Sequence, residues 1–236
     1  MNDVEKIGAY YRAILPYYDA SLADRGDLPF WESIVQRWGS RHVLELGCGT
    51  GRVTAALARH TSVTAVDLLI EMLHRARSRV PKARLVAADL RSFAFTAPFD
   101  LIVLADDPMA HVTSSTERMD VLRRIAEHLT PGGRVVIEGL YRARPVRVPA
   151  RAIDSFTVSE EWTRTPEDDT WTATYRYQER SSFVEATSVM RSWSLAEVAR
   201  LPEAGLETEA VWGDFEGARF GESSERMIIV ATRIEN

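Results

Sequence analysis

Apolar positions along this chain follow three successive regimes. Up to about residue 39 they recur at helical spacing: Tyr10, Ile14, Tyr17 and Tyr18 in one piece, Phe30, Ile34 and Trp38 in the next. The stretch ADRGDLP between them is turn-rich and separates two helices. From residue 43, short apolar runs alternate with amphipathic stretches: HVLEL, RVTAALARH, SVTAVDL, IEMLHRARSRV, ARLVAADL, FDLIVLA, TERMDVLRRIAEHL and GRVVIEGL. Apolar runs of strand length separated by helices predict parallel strands joined by crossovers, a doubly wound α/β sheet. Ser115 or Thr116 is placed to cap the helix TERMDVLRRIAEHL, and TPGG to end it before the next strand.

The third regime begins after about residue 145. Residues 154–194 alternate apolar with polar and are rich in Thr, Val, Tyr and Trp, which predicts an antiparallel meander of about three strands with TPEDD as one turn. SLAEVARLPEAG predicts a helix opened by a capping box of Ser194 and Glu197 and closed near Gly205. LETEAVWG and RMIIVATRI then read as two closing strands. Because the segments on both sides complete the core, the meander is expected to be an insertion in the main sheet and not a separable domain.

Composition narrows the class. With 45% hydrophobic and 27% charged residues in 236, the chain has the make-up of a soluble globular protein that needs no disulfide or metal to hold its core. A formal charge of −5 disfavours nucleic acid as a partner, although a local basic groove stays open. Cys48 is the only cysteine, which fits a reducing compartment. The first twenty residues have no continuous apolar core, so no signal peptide is expected, and no run reaches the length of a membrane span. The expectation is a cytoplasmic protein without membrane contact; a homodimer is left open.

Candidate chemistry centres on VLELGCGTG, residues 43–51. Glycines at 47, 49 and 51, between a strand and a helix, let a ligand approach the backbone closely. Asp67 ends the second strand, where an acid meets ribose hydroxyls in dinucleotide folds, and Asp89 ends the third. Glu45, Asp67 and Asp89 thus put a carboxylate on each of three consecutive strands. The third glycine comes one residue too early for a dinucleotide fingerprint, and no Walker-type lysine follows. No Cys/His cluster has metal-ligand spacing, so no metal is expected.

Over roughly residues 40–140 these motifs resemble the class I S-adenosylmethionine-dependent methyltransferases. ELGCGTG looks like their first motif, AVDLLIEML with ARSR their second, AADLRSF their third, FDLIVLA their fourth, and LTPGGRVVIEG their fifth strand. The resemblance implies a Rossmann-like, mostly parallel seven-stranded sheet with an antiparallel closing hairpin, plus a small antiparallel β insertion. It implies S-adenosyl-L-methionine as cofactor and S-adenosyl-L-homocysteine as product. Glu45, Gly47 and Gly49 would hold the methionine end, with Cys48 the small apolar residue of the same loop. Asp67 would take the ribose hydroxyls, Leu68 and Met72 would flank the adenine, Asp89 and Leu90 would meet its edge, and Ala105 would lie near the sulfonium. Leu69 departs from the family, which often has a small polar residue there. The layout further resembles the small-molecule branch, such as the sugar-amine N-methyltransferases of antibiotic pathways. The implied organisation is an N-terminal helical lid at 1–39, a cofactor-binding core at 40–145 and 194–236, and a β insertion over the substrate pocket at 146–193.

Methyl transfer from a sulfonium asks mainly that the acceptor be held in line, within about 3–3.5 Å of the methyl group. A base helps where the acceptor carries a proton. LADDPMAHV follows the fourth strand and supplies Asp106, Asp107 and His111 as candidates; loop caps and a helix-start histidine are the plain alternatives. DDPM lacks the second proline and the aromatic of the amino-methyltransferase motif, so that role is not carried over. Tyr11 and Tyr18, seven apart on one helix face, are candidates for contacting cofactor or acceptor, and Trp171, Tyr175, Tyr177 and Trp193 for lining a substrate pocket, with core packing as the alternative for each. Arg142, Arg144, Arg147 and Arg151 sit in what reads as a proline-containing linker. The leading function is methylation of oxygen or nitrogen on a small molecule, a secondary metabolite. Methylation of RNA or protein, and non-catalytic cofactor binding, are the alternatives.

Overall fold

The structure is a computed structural model that describes residues 3–23, 25–165, 170–221, 223–224 and 226–235. Two N-terminal helices, α1 (Asp3–Ser21) and α2 (Leu28–Trp38), precede β1 (His42–Leu46), α3 (Arg52–Leu57), β2 (Ser62–Asp67), α4 (Ile70–Arg79), β3 (Arg84–Ala87), β4 (Phe99–Leu104), α5 (Ser115–His128) and β5 (Leu129–Leu140). Four strands follow, β6 (Val146–Ile153), β7 (Phe156–Arg164), β8 (Thr170–Glu179) and β9 (Ser182–Arg191), then the single turn α6 (Leu195–Val198), β10 (Leu206–Trp212) and β11 (Arg226–Arg233).

Seven strands form one sheet in the order β10-β11-β5-β4-β1-β2-β3, with β11 antiparallel to both of its neighbours and the others parallel. The apolar runs are continuous because both faces are covered, and successive residues serve opposite layers. Leu44, Leu46, Ile102 and Leu104 meet Met119, Leu122 and Ile125 of α5. Val43, Leu101 and Val103 meet Phe30, Trp31 and Ile34 of α2 and Val53 and Leu57 of α3. Strand order reverses between β1 and β4, and in such sheets the crevice at the carboxyl ends beside the reversal binds ligands.

The inserted strands form a second, antiparallel sheet in the order β6-β7-β8-β9. With α1 it makes one compact unit (Met1–Arg25 and Arg142–Ser192), while Gly26–Tyr141 and Trp193–Asn236 make the other. The two N-terminal helices are therefore divided: α1 belongs to the aromatic unit and α2 to the core.

Several expectations are corrected. The insertion has four strands, because the supposed arginine linker supplies β6: Val146, Arg147 and Val148 pair with Trp162, Glu161 and Glu160. It is a sheet of its own and not part of the main one. The cap of α5 is Ser114, one residue earlier than expected, whose Oγ accepts from Glu117 N at 3.4 Å. TPGG lies inside β5, where pairing with β4 shifts register between Phe99 and Leu101. The Ser194 cap is present, its Oγ accepting from Glu197 N at 3.2 Å, but the helix stops after one turn and resumes as a 3₁₀ turn at Leu201–Ala204, closed by Gly205. Pro202 has no N–H to extend an α-helix. The predicted TPEDD turn falls, apart from Thr165, outside the described residues.

Candidate functional site

The glycine loop turns back sharply from β1. Gly47, Gly49 and Gly51 all take the left-handed backbone, with φ of 76, 54 and 79°. Gly47 N and Cys48 N both donate to Val66 O, at 2.8 and 2.9 Å, which binds the loop to β2. A side chain at Gly47 would put its Cβ 2.4 Å from Pro108 Cβ, and one at Gly51 would stand 3.1 Å from Ala76 Cβ. Two of the three glycines are therefore required by the protein's own packing: one admits the loop after β4, the other admits α4.

The three acids occupy different environments. Glu45 is 2% exposed and its Oε2 accepts from Thr54 Oγ1 at 2.5 Å. Burial pushes its carboxyl up to about 8 against the pull of that bond and the Arg52 charge. Asp67 ends β2, as expected; its Oδ2 accepts from Gly49 N at 2.7 Å and its Oδ1 from Leu69 N at 2.9 Å. Burial still raises it above the usual carboxylate range. Asp89 lies two residues past the end of β3, not on the strand. Burial acts to raise it, but Arg91, whose Nη2 donates at 2.6 Å, holds it low. Burial also pushes the Cys48 thiol up, so it is an inert apolar group of the loop.

Asp67, Leu68, Asp89 and Leu90 keep part of their surface open, while Met72, in α4, is buried. Accepting carboxylates at and just past neighbouring strand ends, each followed by a partly open leucine, suit a ligand that combines hydroxyls, an amino group and a flat apolar ring. That donor set fits the nucleoside part of S-adenosylmethionine.

The segment after β4 is tightly constrained. Ala105 is buried. Asp106 and Asp107 are consecutive non-glycine residues with φ of 56 and 42°, a conformation that costs about 1–3 kcal/mol each. Asp106 is exposed, and its N donates to Glu138 Oε2 at 2.9 Å. Asp107 is buried; its Oδ2 accepts from Leu140 N at 2.6 Å and its Oδ1 from Trp193 Nε1 at 3.3 Å. Burial pushes its carboxyl up to about 6, opposed by Arg118, Leu140 N–H and the indole. His111 ends the 3₁₀ turn Pro108–His111, and burial lowers its imidazole to about 4. At neutral pH it is uncharged and a weak base.

The other candidates divide between the two units. In the aromatic unit Tyr10 and Tyr17 are the buried side of α1; Tyr17 stacks on Tyr177 at 4.5 Å and Tyr10 lies 6.2 Å from Tyr175. Tyr11 and Tyr18 are half-buried neighbours at 6.1 Å, so they share a face as the spacing required. Trp171 and Tyr177 are core residues, and Tyr175 keeps part of its ring open. Trp193 is corrected in place: it belongs to the core unit, packed on Gly139 with the Arg118 guanidinium 4.4 Å from its ring centre. Arg142 and Arg147 are held within the aromatic unit, one over the Trp162 ring and the other 3.6 Å from Glu161.

Three groups escaped the sequence reading. Asp27 is fully buried and binds Arg52 through both oxygens, at 2.6 and 2.7 Å, with Trp31 Nε1 a third donor at 3.2 Å. Arg118 lies on the buried side of α5, and Glu138 inside an apolar strand. An acid in a turn, an arginine in an amphipathic helix and a lone polar residue in a strand give no spacing signal.

A seven-stranded sheet closed by an antiparallel hairpin, with a glycine loop at its switch point and acids at or just past the next strand ends, defines a Rossmann-like protein whose switch-point crevice can take a ligand. Residues 43–133 match the family described as "Methyltransferase domain". The chain is 28% identical to a cypemycin N-terminal methyltransferase of Streptomyces sp. over 95% of this chain and 97% of that one. It is 31% identical to the dTDP-4-amino-2,3,4,6-tetradeoxy-D-glucose N,N-dimethyltransferase of Saccharopolyspora spinosa, over 50% of this chain and 45% of that one. This chain thus spans nearly all of the first relative but under half the length of the second. A solved S-adenosylmethionine-dependent methyltransferase of Clostridium acetobutylicum superposes with a TM-score of 0.81 at 19% identity, over 95% of this chain and 99% of that one, a likeness of fold. Residues 43–133 are thus a methyltransferase domain by that match, and S-adenosylmethionine is the cofactor it implies.

Proposed function

We propose that the protein transfers the methyl group of S-adenosylmethionine to a nitrogen or oxygen of a small molecule, a secondary metabolite. The observation that carries this reading is the pair of partly open carboxylates, Asp67 and Asp89, beside a glycine loop that packs directly on the acceptor-side segment through Pro108. Two relatives of this chain bear on the acceptor: one is named for N,N-dimethylation of a dTDP-amino sugar, the other for N-terminal methylation of cypemycin. Amino sugars are accordingly the first acceptors to try.

When bound, the cofactor supplies a methyl group already activated on a sulfonium. Glu45 and the backbone of Gly47 to Gly49 would hold its methionine end, Asp67 would accept from the ribose, Leu68 and Met72 would flank the ring, and Asp89 and Leu90 would meet its edge. Ala105 to Asp107 and His111 lie on the acceptor side. A protonated amine must lose its proton before it attacks, and Asp106 is the exposed carboxylate there. Of the aromatic candidates for acceptor or cofactor contact, Tyr11, Tyr18 and Tyr175 keep ring surface open, whereas Trp171, Tyr177 and Trp193 are core residues. Among the described residues no helix is long and apolar enough to cross a membrane. A cytoplasmic homodimer is the accompanying expectation, and light scattering on the purified protein tests the assembly.

Calorimetric titration with S-adenosylmethionine and S-adenosylhomocysteine tests the donor assignment. Micromolar binding by the wild type, weakened at least tenfold by Asp67→Ala and less by Asp67→Asn, supports it. Absence of binding by the wild type at high micromolar concentration refutes it. Labelled methyl transfer across a panel of amino sugars and hydroxylated aromatics then separates nitrogen from oxygen acceptors.

A further inference from the structure

The carboxyl ends of β4 and β5 are joined by side chains. Backbone pairing of the two strands ends at Leu104 opposite Ile137. Beyond it, Asp106 N donates to the Glu138 carboxylate of β5, and in return Leu140 N of β5 donates to the Asp107 carboxylate. The free oxygen of Asp107 takes Trp193 Nε1, and Trp193 N donates to Leu140 O at 2.8 Å. Behind this clasp, Arg118 Nη1 donates to Met109 O at 3.0 Å while its Nε meets Glu197 Oε1 at 3.0 Å. On the opposite side Pro108 fills the space left by Gly47. The segment is thus held by β5, α5, Trp193 and the glycine loop in a backbone conformation that is costly for two consecutive non-glycine residues.

We propose that Asp107 is a positioning residue for methyl transfer: with Glu138 it clamps Ala105–Met109 so that the exposed Asp106, and not Asp107 or His111, is the carboxylate presented at the methyl end of the donor. The proposal rests on the methyltransferase reading. Asp107 is buried with its oxygens turned to Leu140 N and Trp193 Nε1, whereas Asp106 is exposed to an acceptor. The two forms of the cofactor report the state of the clamp. S-adenosylmethionine carries a positive sulfonium and S-adenosylhomocysteine a neutral thioether, whereas the parts held by Asp67 and Asp89 are the same in both. A carboxylate fixed at the methyl end therefore favours the charged form, and a loosened one does so less.

Asp107→Asn is the selective perturbation. Asparagine tolerates the left-handed backbone as aspartate does, so the change adds little strain. Both groups facing the side chain are donors, however, and the amide can accept from only one of them while turning its NH₂ on the other. Trp193→Phe in the same chain removes the second donor and with it the conflict.

The experiment titrates S-adenosylmethionine and S-adenosylhomocysteine calorimetrically into the wild type, Asp107→Asn and Asp107→Asn with Trp193→Phe. The expected result is that Asp107→Asn lowers the preference for the charged form by about fivefold, within the usual range of coupling between sites. Its S-adenosylhomocysteine affinity stays within about twofold, and the double variant regains part of the lost preference. Equal weakening of both ligands would make Asp107 a mere structural keystone and overturn the proposal. So would an unchanged preference, or a double variant no better than the single one. A wild type that binds neither ligand removes the donor reading itself, and the clamp's role in it falls too; the two failures are told apart by the wild-type titration.

Discussion

Replacing Glu45 by glutamine probes the electrostatics of the donor loop without altering its shape. The side chain is enclosed, Thr54 is its hydroxyl partner, and Arg52 and Asp67 are the charges that act on it. Its carboxyl stands at about 8 against the usual glutamate value of 4.5. A raised value means that the folded protein holds the proton more tightly than the unfolded chain. The stabilising contribution is thus complete below the unfolded value, falls as pH rises, and is lost once pH passes the folded value. Between the two, each pH unit removes about 1.4 kcal/mol, so the step from pH 6 to pH 9 removes about 2–3 kcal/mol. Glutamine is neutral throughout, and its Oε1 can still accept from Thr54. Differential scanning fluorimetry of wild type and Glu45→Gln at pH 6, 7.5 and 9 reads the difference, which cancels every other titrating group. The variant should gain about 5–10 °C on the wild type between pH 6 and pH 9, since about 2–4 °C corresponds to 1 kcal/mol in a chain of this length. A difference in Tm that does not change with pH would show that Glu45 is ionised in the fold and would refute the reasoning.

Other perturbations act on different parts of the site. Gly47→Ala combines a disfavoured φ with a clash on Pro108 and should cost about 2–5 kcal/mol in urea unfolding, along with most of the cofactor affinity. Arg52→Ala removes two charge-assisted bonds from the buried Asp27 and should cost about 3–5 kcal/mol; Arg52→Lys should recover only part, because one ammonium cannot replace two guanidinium bonds. His111→Gln should leave the pH–rate profile between pH 6 and 8 unaltered with any acceptor that turns over, since burial keeps the imidazole neutral above about 4. Loss of an acid limb in that profile would instead make His111 the base. Asp106→Asn should lower turnover by about 10²-fold or more while S-adenosylhomocysteine binds as before; an unchanged turnover would remove Asp106 as base.

Periodicity is enough to read the α/β core because its central strands are covered on both sides and the helices against them show one apolar face. It is weaker where polar chemistry takes over. Tyr10 and Tyr11 look alike in the sequence, yet only Tyr10 is buried. The pattern shows about three strands where four form because Arg147, Pro149 and Arg151 disguise β6, an edge strand whose pairing shifts between Val148 and Arg151. Such a strand carries charge and proline readily because one side of its backbone is unpaired. The helix after Ser194 was overextended for the opposite reason: its cap is right, but Pro202 comes before a second full turn can form.

At the site, spacing located the acids but not what holds them. Gly47 is bare because Pro108 occupies its side-chain space, and the same Pro108 follows two residues whose backbone is strained. A sequence motif reports only the glycine. The contact ties the motif to the segment after β4: a larger residue at 47 would push Pro108 outward, strain the bonds of Asp106 and Asp107 to the end of β5, and shift the acceptor side against the donor side. In-line transfer tolerates little such displacement, as about 1 Å of misplacement can cost two orders of magnitude in rate. Loop and segment are therefore one mechanical piece, and a substitution on either should be read in both the cofactor affinity and the rate.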